Sequence, residues 1–241
     1  MTIAAAPTAA GEHWHRAAKG GSLRAAVFGV NDGLVSNLSL VMGVAGADPP
    51  DRFIVLAGVA GLLAGAFSMA AGEYVSVRTQ RERFQHHLAR EADELARAPH
   101  EERAELVAIY QRKGLDRPQS EAIANQLMVD PDIVLETMAR EELGLDPDDL
   151  GSPWVAAGSS FVTFAVGAAL PVLPFLLATG RTALVLSAVL SAVALFLVGA
   201  GLSLLTGRKP LQSGLRMLAI GATAAAVTFA VGSLIGVSAE Q

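Results

Sequence analysis

The sequence contains no cysteine, which excludes disulfides, thiolate metal sites and cysteine nucleophiles together. Charge is also scarce: Asp, Glu, Lys and Arg make up 17% of the 241 residues, against roughly 25% in an ordinary soluble domain. None of His86, His87 and His100 stands three residues after a Glu, and the one Glu-x-x-His in the chain, Glu12 to His15, lies alone in the lead-in. The paired Glu-x-x-His helices of a di-iron oxidase are therefore missing. A net charge of −5 argues against nucleic acid as a partner. No apolar stretch follows the start, so a cleaved signal peptide is not expected. What the chain has instead is grease: 52% hydrophobic residues and a mean hydropathy of +0.43.

The little charge present is segregated. Residues 78–152 hold 17 acidic against 10 basic side chains, a balance of −7, whereas the remainder holds 6 against 8. Outside that segment lie five runs almost free of charge. Ala25 to Ala47 spans 23 residues with Asp32 as its one charged side chain. Phe53 to Gly72 has 20 uncharged residues, Pro153 to Thr179 has 27, Thr182 to Thr206 has 25 and Met217 to Ala239 has 23. A bilayer-crossing helix needs roughly 20. The expected fold is thus an all-α membrane protein with five transmembrane helices and an acidic helical insert between the second and third. The boundaries read as a lead-in at 1–23, helices 1 and 2 at 24–77, the insert at 78–152 and helices 3 to 5 at 153–241. The lead-in reads as a short cytosolic helix on the membrane surface, and its His13 and His15 as solvated. PVLP at 171–174 should break the third span and free backbone carbonyls.

Basic residues orient the chain. Arg16, Lys19 and Arg24 precede the first span, and Arg208, Lys209 and Arg216 link the fourth to the fifth; the opposite side carries only Arg52 and Arg181. This places the N-terminus and the insert in the cytosol and the C-terminus outside.

Asp32 is the residue that asks for a function. It lies eight residues beyond Arg24, about 12 Å into a helix, and an intramembrane carboxylate is costly unless it faces a polar path. Asn31 beside it is polar at the same depth. The first two spans run antiparallel, and Met69 lies nine residues in from Arg78, so both reach roughly 12 to 14 Å. Met69 alone would read as core packing; its match in depth with Asp32 makes the two candidates for a transition-metal path, with Glu73 one turn nearer the cytosol. Gly58, Gly61 and Gly65 form small-residue steps that let helices approach closely.

The insert reads as helices broken at Ala98–Pro99, Gly114–Pro118, Asp130–Pro131 and Gly144–Pro147, with Pro99, Pro118 and Pro131 at helix starts. Glu91 and Glu94, and Glu102 and Glu105, are three apart; Met138 and Glu142 are four apart. Each pair shares a helix face. Oxygen clusters suit divalent cations, and a thioether adds affinity for softer ones. Spacing alone leaves a second reading standing, in which these carboxylates pair with Arg on solvated faces, as for Glu101 and Glu136. His87, four before Glu91, reads as solvated.

The segments FGVNDGLVSNLSLVMGVAGA and AGAFSMAAGEYVSVRTQRE, followed by the acidic insert and three more spans, resemble the vacuolar iron transporter family. The resemblance covers nearly the whole chain from Arg24. It implies a homodimeric five-span antiporter, not an enzyme and without prosthetic group, that exports Fe²⁺ from the cytosol in exchange for protons; parts of the family also accept Mn²⁺. The family's pore residues fall on Asp32 and Met69, and its cytosolic metal ligands on Glu91, Glu94, Glu102, Glu105, Glu142 and Met138. Some members have two adjacent methionines where this chain has Met138 and Ala139, so the physiological ion stays open among Fe²⁺, Mn²⁺, Co²⁺ and Zn²⁺. The Ala- and Arg-rich composition points to a bacterial member in the plasma membrane. A rival reading is a membrane-anchored metal sensor or buffer.

Overall fold

The computed structural model describes residues 9–142, 144 and 151–239, which form nine helices and no strand. The expected break at Gly144–Pro147 lies, apart from Gly144, outside the described residues, as do the side chains of His13 and His15. The described chain falls into two compact units: residues 1–73 with 156–241, and residues 74–155.

In the first unit, α1 (Ala9–Gly46) runs from the lead-in through the first apolar run without interruption. An Ala-rich segment with no proline between Pro7 and Pro49 has nothing to stop it, so the lead-in is not the separate surface helix that composition suggested. The chain reverses at Asp48, whose φ is +53°, and Pro49–Pro50 deliver it to α2 (Asp51–Arg97). α2 continues without a break from the second apolar run through the charged stretch to Arg97. The third run is broken at its prolines into α6 (Pro153–Ala169) and the single turn α7 (Leu173–Leu177). α8 (Gly180–Thr206) and α9 (Pro210–Ala239) complete this unit. Four of these helices, α1, α2, α8 and α9, are long and apolar enough to cross a membrane. The fifth expected span corresponds to α6 and α7, and α6 alone has 17 residues.

α1 packs along α9 and α8, and α8 along α9 and α7. Val41, Ile54, Val172, Phe175 and Ala183 form one buried cluster, and Leu34, Leu38, Met42 and Leu195 another. The crossing of α1 and α6 has no room for a side chain. A Cβ on Gly33 would collide with the Phe164 carbonyl oxygen and one on Gly167 with the Val30 carbonyl oxygen, so α1 and α6 touch backbone to backbone. Gly167→Val is therefore expected to destabilise the detergent-solubilised protein by about 1–3 kcal/mol or more, read as a lowered melting temperature. Gly158→Ala, with nothing within 4 Å of the added methyl, should leave it unchanged.

The two prolines of PVLP leave a specific debt of hydrogen bonds. The N–H of Val172 reaches Ala169 O and that of Phe175 reaches Val172 O. The prolines turn the local bonding from i−4 to i−3, so the carbonyls of Ala168 and Pro171 lose the helical donors that Val172 N–H and Phe175 N–H would have been. Other helices supply replacements: Asn37 Nδ2 donates to Ala168 O at 2.6 Å, and Ser187 Oγ donates to Pro171 O at 2.6 Å.

The second unit is a small helical bundle. Beyond the later part of α2 it contains α3 (Pro99–Arg112), α4 (Arg117–Leu127) and α5 (Pro131–Glu141). Pro99, Pro118 and Pro131 each sit in the first turn, where a missing N–H costs nothing. Asp116 and Gln119 form a reciprocal capping box on α4, and Asp130 caps α5. Leu106, Ile109, Ala124, Val134 and Met138 make the core.

Candidate functional site

Two places concentrate chemistry, one in each unit. In the first, an open-sided cavity of about 350 Å³ is lined by Asp32, Ser36, Asn37 and Leu40 of α1, Gly61, Gly65, Ser68 and Met69 of α2, and Phe164 of α6. Asp32 and Met69, matched only by depth in the sequence, face the same space. Positions 32, 36 and 40 recur at helical spacing, which puts them on one stripe of α1. Across it, Gly61 and Gly65 keep α2 thin: a Cβ on Gly65 would meet the Phe164 ring and one on Gly61 the Leu40 side chain. Asn31 and Glu73 are not among the wall residues. Asn31 carries a buried side-chain oxygen without a hydrogen-bond partner; Glu73 is half-buried one turn beyond Met69.

The cavity is chemically mixed. Asp32 is exposed to it, and Ser36 Oγ donates to the Asp32 backbone carbonyl at 2.5 Å, so the carboxylate keeps its oxygens for another partner. Ser36, Ser68 and Asn37 add neutral oxygens, Met69 adds one sulfur, and Leu40 and Phe164 supply apolar wall. Carboxylate, hydroxyl and amide oxygens suit hard and borderline divalent ions, and a thioether extends the range toward softer ones. Sequence reasoning missed Ser36, Asn37 and Ser68. The available signal for Ser36 was its position one turn after Asp32; nothing local marks Asn37.

In the second unit the expected carboxylates come together electrostatically. Glu91 and Glu94 lie on α2, Glu102 and Glu105 on α3, and Glu142 directly after α5. Glu91 is 1% exposed, and burial, reinforced by Glu142, Glu102 and Glu94, pushes its carboxyl up to about 7. Burial also raises Glu102, with Glu105, Glu94 and Glu142 adding to it. Glu142 is raised by burial and then by Glu105 and Glu94. Glu91 lies close enough to Glu102 and Glu142 for their carboxyls to act on one another, and its Oε1 is buried without a partner. An unpaired buried oxygen of this kind costs about 1–3 kcal/mol.

Not every expected ligand stands ready. Among the described residues, no three acidic or histidine side chains converge closely enough to hold an ion as they stand. Glu94 faces Arg90 at 3.4 Å, and Met138 is wholly buried in the apolar core. The pairing reading holds for Glu136, which meets Arg140 at 2.7 Å. His87 is not simply solvated, because its Nδ1 is buried without a partner. Exposed pairs such as Arg78–Glu82 and Arg117–Glu121 contribute little stability.

Against this geometry, comparison with known proteins is informative. The VIT family model matches residues 23–233. Vacuolar iron transporter 1 of Arabidopsis thaliana is 31% identical over 214 residues, covering 88% of this chain and 86% of the relative. Vacuolar iron transporter 2 of Oryza sativa subsp. japonica is 31% identical with 88% and 87% covered. The vacuolar iron transporter of Toxoplasma gondii is 31% identical over 223 residues, with 88% and 74% covered. With four helices apolar enough to span a bilayer and a family match over nearly its whole length, the chain is a multi-pass membrane protein that belongs to the VIT family.

Proposed function

We propose that this protein is a transporter that moves Fe²⁺, and Mn²⁺ as a second substrate, out of the cytosol by proton antiport. The observation that carries the reading is one cavity lined by an intramembrane carboxylate, Asp32, and a thioether, Met69; the iron-transporter names of the relatives agree with it. In this scheme α1, α2, the broken pair α6–α7, α8 and α9 are five spans. The N-terminus and the 74–155 unit are cytosolic, the C-terminus is outside, and the membrane is a bacterial plasma membrane. Two copies pair, and the open side of the cavity is completed between the α1 and α2 helices of both.

The carboxylates Glu91, Glu94, Glu102, Glu105 and Glu142, with Met138 beside them once the side chains rearrange, capture the ion. It passes Glu73 and Asn31 at the approach to Asp32 and Met69. A carboxylate that holds either a cation or a proton exchanges the two by competition, because the metal needs the deprotonated form. Protonation of Asp32 from outside then releases the ion outward.

The test is Fe²⁺ and Mn²⁺ flux into proteoliposomes with and without an imposed pH gradient. Gradient-driven uptake supports antiport. Metal that binds but never crosses supports instead a sensor or buffer, a reading favoured by the buried acidic cluster. Met69→Leu keeps the bulk of the side chain and removes its sulfur. It is expected to lower Co²⁺ and Fe²⁺ flux more than Mn²⁺ flux, since Mn²⁺ depends least on soft ligands; equal loss for all three would remove sulfur from the path.

A further inference from the structure

Asn37 is 2% exposed, and its amide is held in one orientation from two sides. Nδ2 donates to Gly58 O at 3.1 Å and to Ala168 O at 2.6 Å. Both neighbours are carbonyl oxygens, which only accept, so the NH₂ group must face them and the amide cannot flip. The side-chain oxygen is thereby forced to the other side. Oδ1 is buried there without a hydrogen-bond partner, and it lies against Gly61, where an added Cβ would come within 2.8 Å of it. Gly61, which lies against this oxygen, and Asn37 itself are both wall residues of the cavity that holds Asp32 and Met69. Asn37 stands five residues past Asp32 on α1, about 7 Å further along the helix.

We propose that Asn37 Oδ1 is an oxygen ligand for the transported divalent cation, the station that receives it beyond Asp32 and Met69. The inference rests on the reading of this cavity as the ion path. A buried amide oxygen with no donor is a poor neighbour for an apolar wall and a good one for a cation, since it ligates without needing to lose a proton. Oxygen of this type suits Fe²⁺ and Mn²⁺ and does less for softer ions. Because it does not titrate, the ion leaves Asp32 for a ligand that protons do not compete for, and the return of a proton to Asp32 then leaves the cation on the outward side. The aiming device is the PVLP break: Val172 N–H turns to Ala169 O there, Ala168 O is left without its helical donor, and that carbonyl holds the amide in place.

The test compares Mn²⁺ and Zn²⁺ flux for wild type, Asn37→Ser, Gly61→Ala and Asp32→Asn in proteoliposomes, after size-exclusion and melting measurements on each. Asn37→Ser removes the amide oxygen; Gly61→Ala keeps both Nδ2 donations and places a methyl against Oδ1. Both are expected to raise the Mn²⁺ KM about tenfold, in the range that loss of a metal-site contact brings, and to lower the Mn²⁺ to Zn²⁺ ratio. A purely structural Asn37 would lower the melting temperature and leave the ratio unchanged, which overturns the proposal. If Asn37→Ser does not fold, Gly61→Ala decides by the ratio, because its methyl also meets Leu40 in the wall: a raised Mn²⁺ KM with a lowered Mn²⁺ to Zn²⁺ ratio supports the ligand, and an unchanged ratio overturns it. Should Asp32→Asn still carry flux at the wild-type rate, the path reading itself fails, independently of Asn37.

Discussion

Asp32→Asn is expected to abolish proton-driven metal flux while the 74–155 unit still binds metal. The substitution is nearly isosteric and keeps an oxygen at the same place, so α1 and its packing should be unaffected. What it removes is charge and protonation. Two unit charges about 4 Å apart at an effective dielectric of about 20 interact by roughly 4 kcal/mol, on the order of a thousandfold in occupancy, and a divalent ion gains more. An Asn cannot alternate between proton and cation, so loss of binding and loss of coupling fall on the same residue. Flux in proteoliposomes gives the first readout and metal bound per protein in detergent gives the second. Wild-type flux from the variant would sink the exchange scheme. Loss of all bound metal as well would instead put the principal binding site at Asp32 rather than in the acidic bundle.

Much of this architecture is legible in the sequence because membranes make composition decisive. Charge-free runs of 20 or more residues, one with an Asp inside, fall on the four helices apolar enough to cross a membrane and on the broken pair α6–α7. The breaks of the insert were readable for a local reason: Pro99, Pro118 and Pro131 can only stand in a first helical turn, and they do. The pairing of Asp32 with Met69 came from counting depth in two antiparallel helices, a constraint that holds before any packing is known. What was not legible depends on partners distant in sequence. Asn37 is oriented by the Ala168 carbonyl, 131 residues away, which the PVLP break on another helix frees. The burial of Glu91 follows from how α3 and α5 close over α2, and spacing shows only that Glu91 and Glu94 share a face. The length of α1 was missed because a change from polar to apolar composition resembles a boundary, whereas the backbone needs a Gly turn or a Pro to stop and α1 has no Pro until after Gly46.

Glu91→Gln is expected to move two properties of the bundle in opposite directions. In the wild type the Glu91 carboxyl is raised from 4.5 to about 7, first by burial and then by the neighbouring Glu142 and Glu102. Between those values the folded bundle binds a proton that the unfolded chain has lost, so stability falls as pH rises. The contribution is complete below about pH 4.5 and is lost as the pH passes through 7; Glu102 and Glu142, also raised mainly by burial, act in the same sense. Hydrogen-exchange protection factors for α3 to α5 in the metal-free protein should therefore decline from pH 5 to pH 8. Gln is neutral throughout and its amide N–H groups can donate to the Glu102 and Glu142 carboxylates, so the variant should hold its protection at pH 8 and exceed the wild type there. Metal reverses the order. Ionised Glu91 is the buried oxygen donor that Mn²⁺ would take up, and added Mn²⁺ should restore wild-type protection increasingly as pH rises, because the cation needs the deprotonated form. The same Mn²⁺ should protect Glu91→Gln only at concentrations roughly 10- to 100-fold higher. Equal metal dependence in the two proteins would make Glu91 a buried structural acid, and the capture role would pass to Glu94, Glu102, Glu105 and Glu142.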